Sequence, residues 1–431
     1  VKVVDGWEQA YYQEFSGTPV PALMPHDPDT LADAVVTTLA VDADPQAREA
    51  SIFYWERGLP YRKAVVEAMA RVPDGELRAA AEALRNRPAD PATHAALHRR
   101  LTELAHDRAA PALDKLFTEA WQAESNSRLG YHLGGRYSPR ATPSVTPERL
   151  HSLAAVTVPR PAAPAEPGGD AETLVVVPFR DRGPGHRLRN LLACLLSLRD
   201  QSVPASSYRV VVVESDDIPR RRDAVLPYTD HYLFARKDGL FNKSWAVNVG
   251  VVNAPGRPEA VCILDADVLV DRDFIARNTA RFRERGTMGH LSYRDMWCLD
   301  ESATSWAIEE RLGRGAPQVD TDHLRAFVLR RPPGCCVWVR TSAFHRIGGM
   351  DERFEGWGGE DNDFAYRMDT HSAFDQYRDP LLHMYHPSSA VLREDGELIN
   401  AHIPALTWGP GERLGDIDRF AEERAAAGPD R

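Results

Sequence analysis

The chain has 431 residues, of which 43% are hydrophobic and 27% charged, a balance typical of globular proteins. Its formal net charge of −11 argues against nonspecific nucleic-acid binding, and we find neither an apolar run of membrane-spanning length nor a signal-peptide pattern. The five cysteines form no CxxC pair, which argues against a zinc knuckle or disulfide framework and predicts a reducing, cytoplasmic location.

Residues 1–157 are predicted to form a helical domain. Its helix-start signals are Pro or Asp residues placed before segments of helical apolar spacing, at Pro60, Asp74, Asp90 and Pro111. No catalytic pattern stands out in this region, so packing is its expected role. The Gly/Pro-rich, aromatic segment 128–144 is predicted to be a loop.

Residues 158–170 are rich in proline and alanine, which predicts an extended linker. After it, apolar strands (174–177, 210–213, 261–264) alternate with helical segments (188–198, 244–252). This order predicts an α/β domain over residues 171–405, built on parallel strands with right-handed crossovers. Residues 406–431 are predicted to be a C-terminal tail or helix.

The carboxyl ends of three predicted strands carry charged residues. Arg180 and Arg182 follow the first strand, Glu214 ends the second, and Asp265-Ala266-Asp267 follows the third. Because ligands of open α/β sheets collect at such ends, the arginines are candidates for phosphate or base contacts and Glu214 for base or ribose. Each could also be simple surface charge. The first strand lacks both the G-x-G-x-x-G turn and the P-loop sequence, which argues against those nucleotide folds.

Asp265 and Asp267 are the focus of this edge. Carboxylates at a buried strand end are costly to desolvate unless they are paired or bind metal, and hard divalent cations share carboxylate with phosphate oxygens. The pair therefore indicates a metal and nucleotide-diphosphate site, although the tripeptide taken alone favours a solvated strand-to-loop turn, because Asp is common in turns.

Two later segments extend the candidate site. Trp357 lies among glycines that permit a tight bend, just before Glu360 and Asp361 at a predicted helix start. A carboxylate beside an aromatic platform is a plausible general base for an alcohol, and an ordinary acidic helix cap is the alternative. His383 and His386 are spaced to meet one metal ion, or are surface histidines.

Taken together, residues 173 to about 390 resemble the GT-A glycosyltransferases of the β-1,4-galactosyltransferase and family 2 type. The resemblance rests on five motifs in family order: 178–182, 241–250, 265–267, 356–361 and 383–386. It implies a GT-A fold, a Rossmann-like mixed sheet flanked by helices, preceded here by the mostly α-helical N-terminal domain.

The resemblance also implies roles for individual residues. It implies nucleotide binding, with a UDP-sugar as the favoured donor, by Pro178, Phe179, Arg180, Arg182, Glu214, Phe241, Lys243, Asp265 and Ala266. It implies Mn²⁺ or Mg²⁺ ligation by Asp267 and His386, with His383 at the position of a further ligand. It implies Asp361 as the base that deprotonates the acceptor hydroxyl, and sugar contacts by Trp357, Gly358, Glu360, Asn362 and Gly334.

Several positions depart from the family pattern. Lys243 replaces the usual Arg, Asp181 replaces the commoner Asn, and Cys335 replaces the second glycine of a Gly-Gly pair. Residues 288–327 look longer than in the galactosyltransferases, and this region usually shapes the acceptor site. A small molecule or a glycan is the favoured acceptor, and the sequence is compatible with a homo-oligomer.

A single base without a second enzymic nucleophile predicts one in-line displacement with inversion. Retention on the same scaffold stays open. A sugar nucleotidyltransferase would need a Gly-rich loop with Arg and Lys after the first strand, and a non-catalytic nucleotide-sugar-binding module is the remaining alternative.

Overall fold

The computed structural model describes residues 24–105, 110–139, 142–157, 171–183, 185–388, 393–394, 398–404, 406–409 and 413–420. The predicted linker 158–170 lies outside the described residues. The chain divides into a first compact unit (Val1–Pro143, Asp295–Ala307, Asp320–Pro332) and a second (Ser144–Arg294, Ile308–Val319, Pro333–Arg431). The predicted domain boundaries at 157, 170 and 405 stay predictions.

The first half of the described chain is mostly helical. Its elements are α1 Pro28–Ala43, α2 Pro45–Ala50, α3 Ile52–Arg71, α4 Gly75–Asn86, α5 Pro91–Ala105, α6 Pro111–Asn126, β1 Leu129–Leu133 and α7 Pro147–Thr157.

The second half alternates strands and helices. Its elements are β2 Thr173–Phe179, α8 His186–Arg199, β3 Tyr208–Glu214, α9 Arg222–Val225, β4 His231–Phe234, α10 Lys243–Asn253, β5 Ala260–Leu264, β6 Val268–Leu269, α11 Phe274–Arg285, β7 Gly289–Leu299, α12 Glu301–Ile308, β8 Arg325–Arg330, β9 Cys336–Arg340, α13 Thr341–Arg346, α14 Glu360–His371 and β10 Phe374–His383.

The helices of the first unit begin mostly where the sequence predicts. The Asp74 carboxylate caps α4 by accepting a hydrogen bond from Leu77 N at 2.7 Å, and α5 and α6 begin at prolines. The predicted start at Pro60 is wrong, because α3 begins at Ile52 and contains Pro60. Phe53, in the added turns, is buried, so packing extends this helix ahead of its proline.

The predicted loop 128–144 is also partly wrong, because it contains strand β1. This strand pairs antiparallel with β8, nearly 200 residues later in the chain, with Tyr131 opposite Phe327. Tyr131 is buried, and its hydroxyl donates to the Asp44 carboxylate at 2.9 Å. A glycine-rich segment forms a strand here because a distant partner supplies the hydrogen bonds, which local sequence does not reveal.

The second unit is built on a mixed sheet with the order β7-β9-β5-β2-β3-β4, to which β7 contributes its residues 289–294. Strands β5, β2, β3 and β4 are parallel, whereas β9 runs antiparallel to β5 and β7. Strands β2 and β5 are buried along their whole length, as expected for central strands. The predicted α/β fold, preceded by a helical region, is confirmed.

Two further features of the second unit position the site. Short strand β6 pairs antiparallel with the end of β10. Within the predicted tail, described residues 413–420 form turns, and Asp416 O accepts a hydrogen bond from the buried Trp245 indole in α10 at 2.9 Å. Among the described residues, none of the helices is both long and apolar enough to cross a membrane.

Candidate active site

Asp267, His383 and His386 come together at one point of the second unit. Strand pairing places His383 opposite Val268, and Met384 N donates to Asp267 O at 2.8 Å. The Asp267 carboxylate lies 2.9 Å from His386 Nε2 and 3.3 Å from His383 Nε2. His383 and His386 therefore face Asp267, which lies in a turn more than a hundred residues earlier in the chain.

This cluster fits a divalent metal ion. One ligand atom from each residue lies within 4.8 Å of the others. Asp267 Oδ1 is buried and lies 3.3 Å from His383 Nε2, but it accepts no hydrogen bond from the described residues. Burial raises the pKa of Asp267, but both histidines outweigh that effect and lower it overall. Burial lowers the pKa of His383, which favours the neutral imidazole that binds metals.

Helix α8 supports the two histidines from behind. The Asn190 amide donates to Met384 O at 3.2 Å and to Tyr385 O at 3.1 Å, and Arg189 Nη2 donates to Tyr385 O at 2.7 Å. Both side chains are buried. They fix the backbone between His383 and His386. Neither residue was predicted from the sequence, although a charged residue and an amide within the apolar segment 188–198 were a usable signal.

Lys243 forms a second cluster beside the first. It is the first residue of α10, whose start is capped by Asn242 accepting from Trp245 N. Its Nζ lies 2.9 Å from Asp265 Oδ1, 3.0 Å from Asp361 Oδ1 and 4.0 Å from Glu360 Oε1. Asp265 and Asp267 occupy the same short turn after β5, so this turn connects the two clusters.

Three carboxylates share this one buried cation, and their pKa values reflect it. Burial raises the pKa of Asp361, while Lys243 works in the opposite direction. Burial and the neighbouring Asp361 raise the pKa of Glu360 to about 7. Burial alone would lower the pKa of Lys243, but Asp265 and Asp361 raise it well above its ordinary value. Lys243 is therefore a permanent cation that stabilises the Asp361 carboxylate.

Gly334 lies directly against Asp361. A Cβ atom added there would lie 2.1 Å from Asp361 Oδ2, so only glycine leaves room for the carboxylate. The Gly334 carbonyl accepts a hydrogen bond from the buried Tyr293 hydroxyl, and Cys335 O accepts from Asp265 N at 2.8 Å. The segment before β9 thus holds both ends of the Lys243 cluster in place.

Residues 355–359, here called the tryptophan loop, precede the acidic start of α14. Gly356, Gly358 and Gly359 have φ angles of 74°, 98° and 102°, a region that L side chains rarely adopt. Gly356 N donates to Phe241 O at 2.7 Å, which ties the loop to the segment before Lys243. Trp357, Gly358 and Asn362 are half-buried, so they remain partly accessible.

The predicted nucleotide-binding residues at the end of β2, and Arg180 directly after it, contact other parts of the protein. Pro178 and Phe179 are buried within the strand. The Arg180 guanidinium donates to three carbonyl oxygens, those of Ser215, Lys237 and Gly239, and lies 5.4 Å from the Phe241 ring centre. Arg180 therefore shapes the loop before Phe241, and its hydrogen bonds are already committed to protein atoms.

The other residues of this edge are mutually paired. Arg182 contacts the buried Asp216 carboxylate at 2.5 Å. Glu214 is fully buried, and its carboxylate accepts hydrogen bonds from Arg221 N at 3.1 Å and from the Tyr232 hydroxyl. Burial raises the pKa of Glu214. Ala266 lies half-buried between the two aspartates of the turn. The structure thus places Arg182 close to the end of β3, while Glu214 faces the interior.

Two family models match the second half of the chain. Residues 174–348 match glycosyl transferase family 2, and residues 329–386 match the N-terminal domain of galactosyltransferase. These ranges contain both clusters described above. No curated protein sequence matches the chain.

Three of the solved structures that are similar to this chain come from three different organisms. Staphylococcus aureus TarS 1–349 is 16% identical, with 49% of this chain and 60% of that one covered and a TM-score of 0.36. The mannosyltransferase PcManGT from Pyrobaculum calidifontis, in complex with GDP-Man and Mn²⁺, is 17% identical, with 57% of this chain and 64% of that one covered and a TM-score of 0.34. The Drosophila β1,4-galactosyltransferase 7 catalytic domain, in complex with xylobiose, is 18% identical, with 48% of this chain and 66% of that one covered and a TM-score of 0.29. Likeness at this level defines neither donor nor acceptor.

Proposed function

We propose that this chain, whose residues 174–386 form a GT-A glycosyltransferase domain of the family 2 and galactosyltransferase type, transfers a sugar from a UDP-sugar to an acceptor hydroxyl. The observation that carries the proposal is the turn after β5. It holds Asp267 against two histidines and Asp265 against the Lys243–Asp361 pair. A proposed metal-ligand set and a candidate base are thereby joined by two positions of one turn, Asp265 and Asp267, which only Ala266 separates.

Asp267, His383 and His386 would hold the metal ion. One carboxylate with two imidazoles suits Mn²⁺ better than Mg²⁺, which prefers oxygen ligands. When bound, the ion supplies positive charge for the leaving diphosphate. That charge is needed because Asp265, Glu360 and Asp361 outnumber Lys243 beside the site, and a diphosphate would otherwise meet net negative charge.

The nucleotide would lie along the ends of β2, β3 and β5. Phe241 offers an aromatic face that is backed by Arg180, and Arg182 is the partly exposed cation of this edge. Asp265 and Ala266 would lie near the ribose, with Lys243 toward the phosphates. Pro178, Phe179 and Glu214 would act from within the sheet by shaping the pocket.

Asp361 is the proposed general base. Its carboxylate accepts a hydrogen bond from Lys243, whose charge opposes the rise in the pKa of Asp361 that burial causes. Gly334 lets the carboxylate lie against the backbone without a side chain between them. It would take the proton of the acceptor hydroxyl as that oxygen attacks the anomeric carbon, with inversion as the outcome. Trp357, Gly358, Glu360 and Asn362 would contact sugar groups of the donor or of a small-molecule or glycan acceptor.

The test is metal-dependent UDP release from a panel of UDP-sugars, measured with the full chain. We expect Mn²⁺ to support release and EDTA to abolish it. Asp361→Asn should lower turnover by a factor on the order of 10² to 10⁴, the usual scale for losing a general base, while UDP binding persists. Asp223→Asn, which alters an exposed carboxylate of the same unit, is the control.

Two results would contradict the proposal. If the Asp361→Asn variant turned over at the wild-type rate, Asp361 would not be the general base. Absence of UDP release with every sugar, in the presence of Mn²⁺ and candidate acceptors, would reject the donor class itself.

A further inference from the structure

The tryptophan loop (355–359) is held by a segment that lies beyond both matched ranges. Residues 398–404 pack against it, and Asn400 is the central contact because its side chain is only 5% exposed. The Asn400 amide nitrogen donates to Glu355 O at 3.0 Å and to Gly358 O at 2.9 Å. In return, Glu355 N donates to Asn400 Oδ1 at 3.3 Å.

These contacts close the loop around Trp357. The two carbonyls that accept from Asn400 lie on either side of Trp357, so one amide group spans the bend that carries this residue. Three glycines with positive φ leave such a loop with high conformational freedom unless other atoms fix it. The bond from Gly356 N to Phe241 O fixes one side, and Asn400 fixes the other.

The neighbours of Asn400 add apolar contacts to the same loop. A Cβ atom added at Gly358 would lie 2.9 Å from Leu398 Cδ2, and one at Gly356 would lie 3.7 Å from Ile399 Cδ1. The segment is itself a turn, with Ala401 N donating to Leu398 O at 3.1 Å and Ile403 N to Asn400 O at 3.0 Å. Asn400 is therefore presented to the loop by a locally ordered backbone.

We propose that Asn400 is a positioning residue, which fixes the tryptophan loop and so sets the orientation of Trp357 toward the sugar. This inference rests on the proposed function for the part of it that concerns sugar binding. The proposed metal ligands lie outside the loop, and Phe241 meets it through a backbone carbonyl rather than through its ring. The loss of Asn400 therefore weakens sugar recognition and leaves the affinity for UDP with Mn²⁺ close to the wild-type value.

The experiment compares Asn400→Asp with the wild-type chain. The carboxylate keeps the size and the acceptor of the amide but cannot donate to Glu355 O or Gly358 O. Hydrogen exchange of a peptide spanning 353–362 should become at least tenfold faster, with the rest of the second unit unchanged. The KM for the sugar donor or acceptor should rise about tenfold, with UDP affinity within twofold of wild type.

Asn253→Ala is the matched control, because the Asn253 amide also donates to two carbonyls, Val249 O and Gly415 O, both at 2.9 Å. It should leave exchange in 353–362 as in wild type. Should Asn400→Asp not fold, Asn400→Ala removes the same donors without adding charge and takes its place. Wild-type exchange in 353–362 for the folded variant would overturn the proposal. A wild-type chain that transfers no sugar would reject the proposed function while leaving the exchange result intact.

Discussion

Lys243 is the residue that links the acidic groups of the site. It contacts Asp265 and Asp361 at hydrogen-bond distance, while Glu360 lies farther away at 4.0 Å. Burial and the neighbouring Asp361 raise the pKa of Glu360 to about 7. Glu360 therefore titrates near neutral pH.

This arrangement predicts a pH-dependent contribution of Glu360 to stability. Its pKa is about 7 in the folded chain, against an ordinary value of 4.5, so folding favours the protonated acid. That stabilisation is complete below pH 4.5 and is lost as the pH rises to 7. Between pH 5 and pH 7.5, the free energy of unfolding, measured with urea, should therefore fall less for the Glu360→Gln variant than for the wild-type chain.

The exposed Glu259→Gln variant should follow the wild-type curve at both pH values. An identical change in unfolding free energy for Glu360→Gln and wild type would mean that Glu360 does not titrate in this range.

Motif residues were predictable one by one, but their partners were not. The sequence indicated Asp265, Asp267, Asp361 and both histidines, because they lie in motifs that follow the order of the glycosyltransferases that the chain resembles. It did not indicate that the Arg180 guanidinium donates hydrogen bonds to backbone carbonyls or that Glu214 faces the interior. Such facts depend on side-chain direction, which residue type and spacing do not determine.

At the scale of elements, helix α8 is the support of the proposed metal site. Its Asn190 amide holds the backbone between the two histidines through Met384 O and Tyr385 O. Groups that orient metal ligands affect metal affinity by about 10- to 100-fold when they are removed. Asn190→Ala should therefore weaken Mn²⁺ binding by about that factor, measured by calorimetry with the full chain.

Asn253→Ala again serves as the control, since it removes a comparable amide from α10 without touching the histidine segment. Equal Mn²⁺ affinity for Asn190→Ala and wild type would show that α8 does not orient the ligands.

Elements with strong local signals were predicted well. The apolar runs of β2, β3 and β5, the Asp74-capped start of α4 and the proline starts of α5 and α6 follow directly from the sequence. The errors at β1 and at the start of α3 share one cause, which is that packing against distant segments overrode the local glycine and proline signals. The short pairing of β6 with β10, which brings His383 next to Val268 and so toward Asp267, was equally unpredictable from the local sequence.

For the whole molecule, the central claim is that segments far apart in the chain converge on one metal-dependent site. Asp267, His383 and His386 meet within ligand distance of one another, and the turn that carries Asp267 also carries Asp265 to Lys243 and Asp361. The sequence could supply these residues and their family order. Only the fold of the second unit could bring them into contact.

The most direct test is Mn²⁺ binding followed by electron paramagnetic resonance, with and without UDP, for the wild-type chain and Asp267→Ala. The account predicts that wild type binds Mn²⁺ and that UDP strengthens this binding, whereas Asp267→Ala loses both effects and remains folded. Wild-type Mn²⁺ affinity and an unchanged UDP effect in Asp267→Ala would contradict the account.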